Sequence, residues 1–573
     1  MRGAPESKPI IYQLFPRQFG NYSTQGVTGG TIEENGCGKF NSISDRVLQE
    51  LKNFGITHLW LTGVIHHAKT TDYQRFGISS NHPCVVKGRA GSPYAIRDYY
   101  DVDPDLAVSV PDRIEEFRQL IERIHLLGLK LLIDFVPNHV AREYCSVCRP
   151  AGTSDLGEMD DTGLAFHPNN NFYYLPGEIL TLKFPPCEES DPYLEQPARV
   201  TGNDQFHAQP GLNDWYDTIK LNYGFDYLNQ QKHFVPVPDT WEKMVDILKY
   251  WTSFGIDGFR CDMAGMVPLE FWSYAIHEVH CQYPDTDFLA EIYEPHRYRD
   301  FLEQGQFRWL YDKCGFYDAL RMVIQHNHHT GILSDVWKSL EGLDDNMLRF
   351  IENHDEQRVA SLQFCGWPDP GVPAFALCAF MHRGPVMIYN GQELGERAAH
   401  LEGYGGGDGR TSIYDYGRMP EIHKWLNGGI ADGTLLSGHR KQIRLAYQRI
   451  LSNLKEYPVL SRGYFYDLMW GNEDAPGRNG IYAFLRYHGE EVGDTRIAIL
   501  VIINFLGQPI DTFIRIPSHA LDLMEFKEVS RINVRKVFPD LENTDVLLPD
   551  QISTRGIRLT LEPLQYQLFE IFC

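Results

Sequence analysis

The chain has 573 residues, of which 43% are hydrophobic, 13% aromatic and 23% charged. That is enough apolar material for large packed cores, and it excludes a disordered, collagen-like or disulfide-scaffold protein. With 76 acidic against 53 basic residues the net charge is −23, so phosphate backbones and anionic membrane surfaces would repel it, and nucleic acid is not an expected partner. At about 150 residues per domain, the length allows three or four domains. No apolar leader precedes Ile10, and no run reaches the ~18 apolar residues of a membrane span. The 11 cysteines are odd in number and scattered, as expected of reduced thiols, so the expected location is cytoplasmic, with no membrane contact.

From Ile10 to about Leu454 the sequence repeats a helix, a short break and an apolar strand. Ile10–Phe15 reads as the first strand. Ser44 can cap a helix that Gly55 stops after Phe54, and Ile56–Leu61 follows as a strand. Pro111–Leu127 places Ile114, Phe117, Leu120, Ile121, Ile124 and Leu127 on one helical face, and Leu129–Phe135 is a nearly all-apolar strand. A helix at Trp241–Trp251 precedes strand Ile256–Asp262, and one at Leu269–Gln282 precedes Asp287–Glu291. Phe307–Asp312, Met347–Asn353 and Pro385–Asn390 complete the series, the last after a helix at Pro373–Met381. Eight strands this apolar require cover on both faces, so a parallel sheet closed into a (β/α)8 barrel is expected.

Two stretches break the rhythm. Residues 141–236 lack helical period and are rich in Pro, Gly, Asn and Asp, which is too long for a plain loop and points to an inserted subdomain. Past about Leu460 short alternating strands replace the helices. The expected layout is therefore 1–140 for the first part of the barrel, 141–236 for the insertion, 237–455 for the remaining barrel and 456–573 for an antiparallel β-sandwich. The only compositionally simple segment is the glycine patch Gly403–Gly409.

In a (β/α)8 barrel the chemistry sits at the carboxyl ends of the strands. There the sequence places Asp134, Asn138 and His139, then Arg260 and Asp262, then Glu291, then Asn353, His354 and Asp355. Arg260 lies two residues before Asp262, on the same strand face, and is expected to hold that carboxylate ionised. Glu291 follows Phe288, Leu289 and Ala290, and a less polar setting would let it keep a proton. One ionised and one protonated carboxyl are the equipment for glycoside cleavage.

The segments Asp134–His139, Gly258–Ala264, Ala290–Tyr293 and Phe350–Asp355 resemble, in order and spacing, the four signature regions of the α-amylase family, glycoside hydrolase family 13. Ile11–Gly20 and Gly384–Gly395 are similar to that family's first and eighth strands, and Ile219–Asn222 to the fifth signature of its neopullulanase-like members. The resemblance implies that Asp262 is the nucleophile, Glu291 the general acid and base, and Asp355 the residue that holds the distorted sugar. It further implies that His139 and His354 bond the same sugar, that Arg260 orients Asp262 and pairs with Asp134, and that Tyr94 stacks under the ring.

The implied substrate is starch, glycogen or maltodextrin, cleaved with retention. A transglycosylase or isomerase such as a glucanotransferase or trehalose synthase would use the same residues, and a non-catalytic amylase-like subunit is the alternative outside enzymes. No cofactor is expected. Calcium is disfavoured because Met263-Ala264-Gly265 replaces the Lys-His pair of calcium-dependent relatives, and because Asn21–Gly30 carries no acid. Asn138, Glu158, Asp160 and Asp161 remain oxygen donors that could serve a hard cation. Cys145 and Cys148 form a lone C-x-x-C without the second pair a zinc site needs, and read as free thiols.

Overall fold

Eight parallel strands form the centre of the molecule: β1 (Ile10–Leu14), β2 (His58–Leu61), β3 (Lys130–Phe135), β4 (Gly258–Cys261), β5 (Asp287–Ala290), β6 (Trp309–Tyr311), β7 (Met347–Leu348) and β8 (Val386–Tyr389). The structure, a computed structural model, describes residues 8–23, 26–185, 187, 191–399, 407–488, 497–526, 529–540 and 544–573. Each strand pairs with its neighbours in chain order, and β8 returns to β1. The Arg349–Val386 bridge closes the seam beside β7, so the sheet is a barrel. All eight expected strands are present, each shorter than expected; β7 keeps only two residues, and Phe350–Asn353 continue as irregular backbone.

Local rules place the strands. Ser44 accepts the Val47 amide at 3.4 Å and starts helix Asp45–Phe54, whose buried face is Val47, Leu48, Leu51 and Phe54. Gly55 ends it at φ 114°, a left-handed position that a β-carbon disfavours. The chain then enters β2. Ile11, Trp60, Leu132, Leu289, Tyr311 and Met387 point inward and fill the barrel as a core of their own. Alternate residues such as Leu59, Leu61, Leu131 and Ile133 join the larger core under the helices.

Between β3 and helix Asp239–Ser253 the described residues form no helix, only short antiparallel pairs. His139–Ala141 pairs with Thr218–Lys220, and Tyr174–Leu175 with Ala198–Arg199. At the C-terminal end, strands Tyr464–Asp467, Ile481–Tyr487, Ile497–Asn504, Tyr566–Phe572, Ile532–Phe538 and Asp545–Leu547 form one antiparallel sheet in that order. A ribbon of Ile510–Ile514 and Ile557–Leu561 accompanies it. Helices do not stop at Leu460 as expected: Pro458–Arg462, Ser518–Leu523 and Pro549–Thr554 are helical. Each is too short to print an apolar period in the sequence. Residues 403–406 of the glycine patch lie outside the described residues. Among the described residues no helix is long and apolar enough to cross a membrane.

Candidate active site

The ladder register decides which side chains meet. Gly258 faces Asp287 across β4–β5 and Arg260 faces Asp134 across β4–β3. Continued one residue past Cys261 and Ala290, the same register sets Asp262 beside Glu291, as the amide of Glu291 on the Cys261 carbonyl (3.1 Å) shows. Arg260 is fully buried and serves three carboxyls at once. Its Nη1 donates to Asp262 Oδ1 at 2.7 Å and lies 3.4 Å from Asp134 Oδ1, while Nη2 is 2.7 Å from Glu291 Oε1. The rings of Trp60, Tyr94 and Tyr311 stand 5.3, 5.3 and 5.6 Å from its guanidinium carbon and hold it by cation–π contact.

Asp262, Glu291, Asp355, Tyr94 and His139 line one cleft of about 330 Å³. Asp134, Arg260 and His354 sit behind these: Arg260 joins Asp134 to Asp262, and His354 contacts Tyr94. The Tyr94 hydroxyl is 2.6 Å from His354 Nε2 and the two rings stack at 5.2 Å, while Gln13 Nε2 contacts the other ring nitrogen at 2.8 Å. Asp355 stands at the lip with its side chain 42% exposed, 3.0 Å from His354 Nε2. Partial burial works against its charge, but His354, Arg260 and Arg410 outweigh it and bring the carboxyl down to about 2. His139 is stacked at 5.0 Å on Trp215, and burial together with Lys220 and Lys87 lowers it to about 3, so its ring is neutral. All eight residues singled out in the sequence therefore converge on one place.

Two electrostatic expectations are corrected. Burial pushes the Asp262 carboxyl well above the usual carboxylate range; Arg260 opposes this, and Glu291 adds to it. Arg260 does not hold Asp262 ionised by itself because its one charge is shared. Glu291 is not in a less polar setting either: besides Arg260 it accepts the Tyr293 hydroxyl at 2.6 Å and the Met263 amide at 2.8 Å. The apolar residues before it on β5 face other surroundings. Asp134 is raised by burial to about 6, against the pull of Arg260 and His354. The cluster thus contains more carboxylate than one guanidinium neutralises, which favours retention of a proton among its acids.

The structure adds residues that the sequence did not single out. Lys87, Trp215, Asp217 and Tyr414 line the same cleft, with Lys87 Nζ 3.3 Å from Asp217 Oδ1. Tyr293 had a usable signal, since a residue two positions beyond Glu291 can share its face. The others come from separate loops and carry none.

The donors considered for a hard cation are committed elsewhere. Asn138 Oδ1 accepts the Lys220 ammonium at 2.9 Å, and Lys220 also pairs with Asp204 at 2.6 Å. Asp160 accepts the amides of Asn171 and Phe172, Asp161 that of Gly163, and Glu158 that of Asp155. An ammonium already bound to Asn138 and loop carboxylates spent on backbone amides do not fit a calcium site. Asp98, Asp101 and Cys148 cluster, but Arg113 binds Asp101 through two nitrogens and Cys148 Sγ at 3.2 Å, so a guanidinium takes the central place. Cys145 and Cys148 are free thiols.

Residues 13–307 match the family model of the alpha amylase catalytic domain. The chain belongs to the alpha-amylase family. It is 24% identical over 404 residues to Alpha-amylase MalA of Haloarcula japonica, an alignment that covers 68% of this chain and 44% of that protein. It is 22% identical over 415 residues to the intracellular maltogenic amylase of Bacillus subtilis, covering 68% and 56% respectively. The chain thus spans about half the length of these curated relatives. A crystal structure of the maltogenic alpha-amylase AmyB of Thermotoga neapolitana superimposes with a TM-score of 0.61 at 20% identity over 98% of both chains. At that identity the likeness speaks for the fold. Within this amylase-family fold the barrel mouth carries the acid cluster, as the positions of Asp262 and Glu291 just past the carboxyl ends of β4 and β5 require.

Proposed function

We propose that the protein is a retaining glycoside hydrolase that cleaves α-glucosidic bonds of starch, glycogen or maltodextrins. The observation that carries this reading is the single buried guanidinium of Arg260 in contact with Asp262 and Glu291 at the ends of neighbouring strands. Strands lie about 4.8 Å apart, a spacing that supports the ~5–5.5 Å carboxyl separation of retaining enzymes over the wider one of inverting enzymes. The similarity to amylases and maltogenic amylases supports the choice of α-glucan as substrate.

In this mechanism Glu291 delivers a proton to the glycosidic oxygen as the bond to C1 breaks. The ionised Asp262 attacks C1 and forms a glycosyl ester, with the leaving chain released as an alcohol. Water then attacks C1 while Glu291 takes its proton, and Asp262 leaves as carboxylate. Asp355, held at low pKa, stays charged and can bind the sugar hydroxyls while positive charge develops on the ring. His139 and His354 can bond the same sugar, and the Tyr94 ring offers an apolar face for stacking. Proton NMR of the first minutes of maltodextrin cleavage tests the reading: the α-anomer should appear first, and initial β-anomer would overturn the assignment of Asp262.

A further inference from the structure

Outside the cleft, one further concave site combines an exposed indole with uncommitted polar side chains. A cavity of about 440 Å³ lies where helix Gly331–Ser339 meets the C-terminal sheet. Its size falls within the ~300–1,000 Å³ of small-ligand sites. The walls are fixed: Trp337 Nε1 donates to Asp467 at 3.1 Å and Thr330 Oγ1 donates to the Ile481 carbonyl at 2.6 Å. Trp470 is 52% exposed in this wall, a large aromatic surface left in water. The Tyr466 ring lies 6.4 Å from it, and Tyr464, on the same strand, is 52% exposed. Asp335, Lys338, Glu473 and Arg478 also line the cavity. Among the described residues none of these four side chains has a hydrogen-bond or ion-pair partner within the chain.

A fifth charged lining residue, Asp467, is already bonded by the Trp337 indole and the Met469 amide; the four uncommitted side chains, two acids and two bases, balance one another and favour neither an anion nor a cation. Charged side chains without partners can instead bond hydroxyl groups, and an indole face suits the C–H face of a pyranose ring. From this combination we infer that the cavity is a second binding site for malto-oligosaccharide, separate from the catalytic cleft, with Trp470 as its stacking platform. The identity of the ligand rests on the α-glucan reading above. Such a site would keep a long glucan attached while the cleft works on it, raising effective concentration without adding to catalysis.

The test is calorimetric titration of the full-length Asp262→Asn protein with maltoheptaose. Two sites are expected, and Trp470→Ala added to Asp262→Asn should leave one. Arg478→Ala in the same background should weaken the second site at least fivefold, and Trp470→Tyr should retain it. In the otherwise unaltered chain, Trp470→Ala should keep kcat/KM for maltotriose within twofold while adsorption to granular starch falls at least fivefold. One site in Asp262→Asn, or two sites that survive Trp470→Ala, would overturn the proposal and leave the glycosidase reading standing. No binding and no cleavage of any α-glucan would overturn both.

Discussion

Replacing Asp262 by Asn separates catalysis from stability, and the structure fixes the direction of each. The amide keeps the shape of the side chain, and Arg260 keeps Glu291 at 2.7 Å and Asp134 at 3.4 Å, so the guanidinium is not left unpaired. Without a carboxylate no glycosyl ester forms. Removal of a hydrolase nucleophile costs on the order of 10⁴–10⁶ in kcat, or about 5.5–8 kcal/mol of transition-state stabilisation. Stability should move the other way. Burial and Glu291 raise Asp262 above its unfolded value, so the stability it contributes is present below its unfolded pKa of about 3.9 and is lost as pH rises through the folded value. At pH 7 the wild-type protein bears that cost and the neutral Asn does not. The variant should therefore melt at or above the wild-type temperature at pH 7, with the difference closing near pH 4. Initial rates on maltoheptaose and thermal melts at the two pH values measure both. A tenth of wild-type activity would refute the nucleophile, and a lower Tm at pH 7 would refute the electrostatic argument.

Glu291→Gln should lose at least 10³-fold on maltodextrin but far less on an α-glucosyl fluoride, whose leaving group needs no proton; equal losses on both would rule out the acid role. His58, at the opposite end of the barrel from the cleft, is lowered to about 3 by burial, Lys130 and Arg308. Its stability is complete above the unfolded pKa of about 6.5 and is lost as pH falls toward 3, so by pH 5 it removes about 2 kcal/mol. His58→Gln should flatten the fall in stability between pH 7 and pH 5 by that amount, and an unchanged slope in denaturant titrations would count against it. Dialysis against a strong chelator should change neither rate nor Tm, because Lys220 already occupies Asn138. A loss that added calcium restores would show a bound cation, since an ion held only by the native state must stabilise it.

The barrel was legible because its signals are local. Ser44, the apolar face of Asp45–Phe54 and Gly55 specify a helix and its end within a dozen residues, and an apolar helix face recurs ahead of β3, β4 and β5, with Gly128 and Gly255 following the first two. The convergence of Asp134, Arg260, Asp262 and Glu291 was legible too, because strand period and parallel register turn sequence position into place at the barrel mouth. The insertion and the C-terminal helices were less so: short pairs and two-turn helices are too brief to print a period. What the acids do with their charge needed the tertiary structure. Glu291 follows three apolar residues in sequence, yet it bonds Tyr293 and Met263 and touches Arg260. Its polar surroundings come from those neighbours, not from the residues before it in the chain. The same holds for Lys220 on Asn138 and for Lys87, Asp217 and Tyr414 in the cleft wall. Those contacts join segments far apart in the chain, and only the packed loops bring such groups within the few ångströms at which charge and hydrogen bonding act.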